Sequence, residues 1–227
     1  MKKAVIGLSG GMDSATLLGE LLEQGYSVIC CSFKYPSKHN EWELSAAKQI
    51  VSYYQAKNMP VIHHVIDVST VFQFMGSDLL QSGGEIPEGH YASDNMKKTV
   101  VPGRNMIFTS IMAGIAETVE AGFIALGVHS GDHFIYPDCR KDFIKAVDLT
   151  VFLSSDKTVE IITPFAVDDK ASILQRGYKY AIPVPYHLTR TCYKDQELSC
   201  GKCGSCNERL EAFSLINKSD PITYERE

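Results

Sequence analysis

The first third of the chain alternates short apolar runs with amphipathic segments. Apolar runs over residues 4–8, 28–33 and 61–66 predict three buried strands. A leucine repeat over residues 17–22 and an apolar stripe within residues 41–56 predict the two helices between them. Such a β-α-β-α-β order is typical of a parallel sheet covered by helices.

The pattern changes over residues 68–103, where glycine and proline are frequent and periodicity is weak. A stretch of this kind predicts a functional loop or lid. Periodicity then resumes and predicts helices over 105–118, 141–153, 168–176 and 207–216 and strands over 123–128 and 159–163. The alternating strand and helix pattern ends at Pro183 and Pro185. We therefore expect a nucleotide-binding domain over residues 1–180 and a C-terminal segment over residues 181–227.

The most informative stretch, here called the glycine loop, lies between the first strand and the first helix. Its residues are Ser9, Gly10, Gly11, Met12, Asp13 and Ser14. A glycine turn that opens a helix presents free backbone N–H groups to an anion, and it lets a phosphate approach without Cβ clashes. The two serines add hydroxyl donors, and the aspartate either caps the helix or holds a magnesium ion against phosphates.

Two common phosphate motifs do not match the glycine loop. A Walker A loop needs a lysine directly after its last glycine, and here the first lysine after the glycines is Lys34. The GxGxxG spacing of dinucleotide-binding proteins is also missing. The loop therefore predicts nucleotide phosphate binding of another type.

The bulk composition narrows the class of protein. The chain has 227 residues, 44% of them hydrophobic, and a net charge of −5. Mild acidity argues against a broad nucleic-acid-binding face. Because apolar runs stay far below the ~20 residues that span a bilayer, we expect a cytoplasmic enzyme with small-molecule substrates, no membrane association and no nucleic-acid partner.

Seven cysteines occur, and four of them cluster near the C-terminus: Cys192, Cys200, Cys203 and Cys206. Four thiolates within fifteen residues suit a closed, structural zinc site, while an iron–sulfur cluster or free thiols are the alternatives. Cys30 and Cys31 lie in an apolar run, so we expect both to be small core residues. For Cys139 we expect a packing role rather than a nucleophilic one.

Other polar residues fall where strands end and helices begin. Arg104 precedes a strong helix, where it can bind phosphate or carboxylate or remain a solvated charge. Gly127 lies near the end of the fourth strand, and beyond it Asp138 and Arg140 are candidates for substrate contacts, although Asp138 can equally cap the next helix. Lys170 either reaches a phosphate or pairs with neighbouring carboxylates.

Taken together, these stretches resemble a known family. The glycine loop is similar to the SGGxDS loop of the PP-loop ATP pyrophosphatases. Residues 101–105 (Val-Pro-Gly-Arg-Asn), residues 136–140 (Tyr-Pro-Asp-Cys-Arg) and the Cys-x7-Cys-x2-Cys-x2-Cys spacing that ends in Cys-Asn-Glu-Arg resemble the 7-cyano-7-deazaguanine synthase (QueC) family.

The resemblance implies a Rossmann-like, adenine nucleotide alpha hydrolase-like α/β fold with a small zinc-binding segment, and a homodimer. It implies that Leu8, the glycine loop and Gly127 bind ATP with Mg²⁺. It also implies a ligase that adenylates 7-carboxy-7-deazaguanine, forms an amide with ammonia, and adenylates that amide to give a nitrile. Asp13, Ser14, Arg104, Asp138, Arg140 and Lys170 are then the candidate catalytic residues.

Two stretches depart from the family pattern. Residues 35–39 read Tyr-Pro-Ser-Lys-His where Tyr-Gly-Gln-Arg-His is usual, and residues 189–192 read Thr-Arg-Thr-Cys where Thr-Trp-Ser-Cys is usual. If these positions touch the substrate, the reaction differs. The alternatives are a ligase that stops at the amide or uses another amine, a tRNA thiolase, and a non-catalytic nucleotide-binding regulator.

Overall fold

Five strands form a single parallel sheet. They are β1 (Lys3–Gly7), β2 (Ser27–Lys34), β3 (Val61–Asp67), β4 (Phe123–Ala125) and β5 (Glu160–Ile162). Their spatial order is β3-β2-β1-β4-β5. The structure, a computed structural model, describes residues 1–90 and 93–225.

Seven α-helices occur in the described residues. They are α1 (Met12–Glu23), α2 (Asn40–Gln55), α3 (Ser69–Phe72), α4 (Arg104–Thr118), α5 (Lys141–Ser154), α6 (Lys170–Lys179) and α7 (Gly204–Leu215). Short 3-10 turns lie at Asp94–Thr99, Ser130–Phe134, Pro137–Cys139 and Tyr186–Leu188. None of the helices in the described ranges is both long and apolar enough to cross a bilayer.

Helices cover both faces of the sheet, because neighbouring residues of a strand point to opposite sides. In β1, Ala4 and Ile6 pack in a core with α1, α2, α6 and α7, whereas Val5 packs with α4 and α5 on the other face. The predicted doubly covered parallel sheet is thus confirmed. The predicted C-terminal segment shares the first of these cores through Ala212 and Phe213 of α7.

The predicted elements are present, with ends that shift by a few residues. The main difference is in β4 and β5, each only three residues long. After Ala125 the chain keeps one sheet bond, from the Leu126 N–H to the Ile162 carbonyl, and then turns at Gly127 into the wall of a cavity. Pro164, which has no N–H to donate, follows β5 closely.

The segment predicted as a loop or lid is largely packed against the body of the protein. Phe72, Leu79, Leu80 and Val101 are buried in the core on the α4 and α5 side of the sheet. Lys38 donates hydrogen bonds from its ammonium group to the carbonyl oxygens of residues 78, 83 and 84. These contacts fix the first half of the segment to the end of β2.

Candidate functional site

A cavity opens at the carboxyl ends of the strands, beside β1. The chain leaves β1 towards β2 on one side, and β4 lies on the other, so connections diverge at this point and leave a crevice where α/β proteins bind ligands. The cavity holds about 270 Å³. Its walls come from the glycine loop, the ends of β2 and β4, and the first turns of α2, α4 and α6.

The glycine loop forms the floor of the cavity and leads directly into α1. Gly11 is the N-cap of α1 and has no side chain with which to cap it, so the first N–H groups of the helix are left for a ligand. The hydroxyls of Ser9 and Ser14 lie 3.0 Å apart, and the Gly11 N–H donates to Ser9 Oγ. These donors and the positive end of the helix dipole suit a phosphate group.

Gly10 serves a purpose that the sequence did not indicate. It has φ +86° and does not line the cavity; a Cβ there would lie 2.5 Å from the carbonyl oxygen of Glu43 and 2.9 Å from the backbone nitrogen of Ala47. The missing side chain therefore allows α2 to pack directly onto the loop. Clearance for phosphates is not its role in this fold.

A cluster of charges stands beside the loop. Lys170, at the start of α6 and buried, lies 3.3 Å from Asp13 Oδ2 and 2.5 Å from Glu208 Oε2. Burial disfavours the charge on Lys170, but the two carboxylates outweigh it and raise the pKa of the lysine above its ordinary value. The side chain therefore carries a fixed positive charge next to the glycine loop.

The pKa values of the two carboxylates in this cluster are shifted in opposite directions. For Asp13 the effect of burial is exceeded by Lys170 and His129, so its pKa is lowered. For Glu208 burial dominates over Lys170, and its pKa is raised. His129 Nδ1 accepts a hydrogen bond from the Gly131 N–H, and its Nε2 lies 3.9 Å from Asp13 Oδ2.

A second group of ionisable side chains lines the cavity where α2 and α4 begin. There the Arg104 guanidinium donates to the Tyr35 hydroxyl at 3.4 Å. Burial raises the pKa of Glu43 to about 8 despite the nearby Arg104 and Arg190. Burial and the same two arginines lower the pKa of His39 to about 3, so this imidazole is neutral at physiological pH.

The structure brings most of the predicted site residues to the cavity. Those that line it are Leu8, Ser9, Gly11, Met12, Asp13, Ser14, Arg104, Gly127 and Lys170. Gly10, Asp138 and Arg140 do not line it. Asp138 Oδ2 accepts from the Asn105 N–H at 3.0 Å, so it caps α4 rather than the helix that follows it. Arg140 is exposed and donates to the His133 carbonyl.

Cys139 has the packing environment that the sequence predicted. It is buried among Met96, Val128, Ile135 and Tyr136, and burial raises the pKa of its thiol above the ordinary value. A neutral thiol is a poor nucleophile.

The sequence missed Glu208 and Glu43 as site residues. Glu208 follows the last cysteine by two positions and pairs with a lysine 38 residues earlier, so no local pattern marks it. Glu43 lies in the first turn of α2, where an acidic residue is ordinary. The Cys-Asn-Glu-Arg run was a signal for Glu208, but only as a family pattern.

The two departures from the family pattern have separate locations. Ser37 and Lys38 do not line the cavity, and the Lys38 ammonium group instead donates to carbonyl oxygens of the segment after α3. Arg190 does line the cavity. The departure at residues 37–38 therefore lies away from the ligand space, whereas the departure at Arg190 borders it.

The four predicted metal ligands meet in space. The sulfur atoms of Cys192, Cys200, Cys203 and Cys206 all lie within 4.8 Å of one another, and all four residues are buried. Tetrahedral zinc with bonds of about 2.3 Å places its sulfurs roughly 3.8 Å apart. Backbone N–H groups also donate to the sulfurs of Cys192 and Cys200, as expected for ligands held as thiolates.

Comparisons with known proteins agree with this geometry. The family model described as Queuosine biosynthesis protein QueC matches residues 3–217. A 7-cyano-7-deazaguanine synthase of Marinomonas sp. (strain MWYL1) is 43% identical over 224 residues and 99% of each chain. One of Methanoregula boonei is 40% identical over 223 residues, with 98% of this chain and 99% of the relative covered.

Solved structures agree on the fold. NMN synthetase from Francisella tularensis superposes with a TM-score of 0.54 at 13% identity, covering 95% of this chain and 77% of the other. A 4-thiouridine synthetase in complex with RNA and bound ATP gives a TM-score of 0.57 at 18% identity, with coverage of 92% and 50%. Both support the predicted Rossmann-like α/β fold. With a family match along almost its whole length, the chain belongs to the QueC family of queuosine biosynthesis proteins.

Proposed function

We propose that this protein is an ATP-dependent ligase that converts 7-carboxy-7-deazaguanine and ammonia to 7-cyano-7-deazaguanine. One observation carries the proposal: a phosphate-binding glycine loop with a buried lysine beside it, in a chain that matches curated 7-cyano-7-deazaguanine synthases over 98–99% of its length. The cavity has both a cationic phosphate end and a second end with its own arginine.

The proposed reaction uses two ATP molecules for each nitrile. A carboxylate oxygen attacks the α-phosphorus of ATP, and pyrophosphate leaves. Ammonia then displaces AMP from the acyl-adenylate, giving the amide and a proton. The amide oxygen attacks a second ATP with loss of pyrophosphate, and elimination of AMP gives the nitrile as the remaining two amide protons leave.

The phosphate end supplies binding and charge stabilisation. The N–H groups at the start of α1 and the hydroxyls of Ser9 and Ser14 bind phosphate oxygens. Lys170 stabilises the charge that develops on the leaving pyrophosphate. Asp13 is the residue proposed to hold Mg²⁺, since its Oδ1 is buried with no hydrogen-bond partner among the described residues. Bound there, magnesium neutralises phosphate charge.

Arg104 is proposed to bind the carboxylate of the acceptor, because guanidinium pairs bidentately with carboxylates and this one lies in the cavity wall. Asp138 acts indirectly by fixing the first turn of α4, which carries Arg104. A substrate contact for Arg140 stays a prediction.

The four-cysteine cluster is proposed to hold one structural zinc ion. Its four buried sulfurs supply a closed set of ligands and leave no open position for catalysis. Metal analysis tests this: about one zinc per chain is expected, and a brown, iron-bearing preparation would contradict it. A cytoplasmic homodimer is part of the same proposal, on the strength of the family resemblance, and light scattering tests the dimer.

Incubating the purified protein with the deazaguanine acid, ammonia and ATP tests the reaction. AMP and pyrophosphate are expected, and release of ADP and phosphate would refute it. Mass spectrometry of the product separates nitrile from amide, so an amide would favour a ligase that stops one step earlier. ATP binding without turnover would favour a regulator.

Asp13→Asn should lose pyrophosphate release while keeping the fold. Asp142→Asn is the matched control, because Asp142 also occupies the second position of a helix but is exposed and lies outside the cavity. Equal activity of the two variants would contradict a role for Asp13 in phosphate or metal binding.

A further inference from the structure

The Arg190 side chain forms hydrogen bonds with the stretch of chain between Cys192 and Cys200. Its buried guanidinium donates to the carbonyl oxygens of Lys194, Gln196 and Glu197 at 3.1, 2.6 and 2.7 Å. These carbonyls all belong to the loop 193–199. Three carbonyl dipoles that converge on one point repel each other unless a cation lies among them. The guanidinium therefore sets the shape of this loop.

The backbone of the same residue touches the glycine loop. The Arg190 N–H donates to the Gly10 carbonyl at 2.8 Å. The carbonyl oxygen of Arg190 lies 3.6 Å from the position that a Cβ of Gly11 would take. Cys192 follows only two residues later. One residue thus contacts both the glycine loop and the loop 193–199, which joins the first two candidate metal ligands, Cys192 and Cys200.

A tryptophan of α2 completes the arrangement. The Arg190 guanidinium carbon lies 5.3 Å from the centre of the Trp42 ring, a cation–π geometry. Trp42 Nε1 donates to Asp195 Oδ1 at 2.9 Å, which ties α2 to the same loop 193–199.

We propose that Arg190 couples the four-cysteine metal site to the ATP-binding glycine loop, so that bound metal and bound nucleotide stabilise each other. The coupling rests on the proposed binding of zinc and ATP. Such coupling is reciprocal: whatever metal adds to nucleotide affinity, nucleotide adds to metal affinity. Arg190 acts here as a positioning residue and takes no part in bond making.

The coupling is tested by measuring the rate of zinc release to a chromogenic chelator, with and without a non-hydrolysable ATP analogue and Mg²⁺. In the wild-type protein the analogue should slow zinc release about fivefold or more, the lower end of typical coupling between sites. In Arg190→Met, which keeps side-chain bulk without donors, zinc should leave faster and the protection by nucleotide should disappear. Its KM for ATP should rise more than its kcat falls.

Arg176→Met is the matched control. Arg176 also stacks on an aromatic ring, 5.0 Å from the centre of Phe165, and pairs with two carboxylates, but it contacts neither loop. This variant should keep the nucleotide protection. If Arg190→Met does not fold, Arg190→Lys provides a milder change, because it keeps the charge but cannot reach all three carbonyls. In this variant nucleotide should slow zinc release less than it does in the wild type.

Three results would overturn the proposal: a wild-type protein that holds no metal, a zinc release rate that nucleotide does not change, or full protection in a folded Arg190 variant. These are distinct from a failure of the proposed reaction. Absence of AMP and pyrophosphate would refute the reaction while leaving nucleotide protection of the metal intact.

Discussion

Replacing Gly10 by alanine should destabilise the fold and weaken nucleotide binding at the same time. The residue has φ +86°, and a new Cβ would lie 2.5 Å from the Glu43 carbonyl oxygen and 2.9 Å from the Ala47 nitrogen. Both obstacles are backbone atoms of α2, which cannot turn aside as a flexible side chain would. Either α2 or the glycine loop must therefore move.

The expected cost has two components. A left-handed conformation costs a residue with a Cβ about 1–2 kcal/mol, and overpacking a closely packed site typically costs about 1–3 kcal/mol. Gly10→Ala should thus lower the free energy of unfolding by about 2–5 kcal/mol. Gly25→Ala isolates the first component, because Gly25 has φ +79° with no atom within 4 Å of its Cβ position, and about 1–2 kcal/mol is expected.

Urea unfolding of both variants gives the two free energies, and calorimetric titration with an ATP analogue gives the affinities. Gly10→Ala should lose more stability than Gly25→Ala and should also bind nucleotide more weakly, since the Gly10 carbonyl and the start of α1 move with the loop. Gly25→Ala should bind nucleotide as the wild type does. Equal losses of stability in the two variants would refute the reasoning about α2.

Three further predictions concern the charges and the metal. Lys170→Met leaves the partly buried carboxylates of Asp13 and Glu208 without the cation between them, so it should cost up to about 3 kcal/mol in urea unfolding and abolish pyrophosphate release; a stable, active variant would contradict this. Glu43→Gln should change the pH dependence of stability: because burial raises the pKa of Glu43 from 4.5 to about 8, the wild type loses stability as pH rises through that window and the glutamine variant does not. The difference in thermal midpoint, variant minus wild type, should therefore grow from pH 4.5 to 8, and a constant difference would speak against it. Cys203→Ser should lose bound zinc and make the C-terminal segment sensitive to protease; metal retained at one per chain would show that this sulfur is not a ligand.

The residues around Arg190 show why the sequence alone could not assess the departures from the family pattern. A charged residue in place of tryptophan suggests a changed substrate, and so does a lysine at position 38. In the fold both cations are surrounded by backbone carbonyls, Lys38 by the segment after α3 and Arg190 by the loop 193–199. Hydrogen-bond partners of this kind carry no sequence signature, because every residue has a carbonyl.

The sequence by itself determined the strands, the helices, the glycine loop and the set of four cysteines. Each of these depends on residues close together in the chain: continuous apolar runs for the strands, period-3.6 apolar patterns for the helices, a glycine turn before a helix, and closely spaced thiols. The tertiary structure decided the rest, including the pairing of Lys170 with Asp13 and Glu208, the cap that Asp138 provides for α4, and the packing of α2 on Gly10. Those contacts join residues 33 to 157 positions apart, and the arrangement of strands and helices in the fold brings them together.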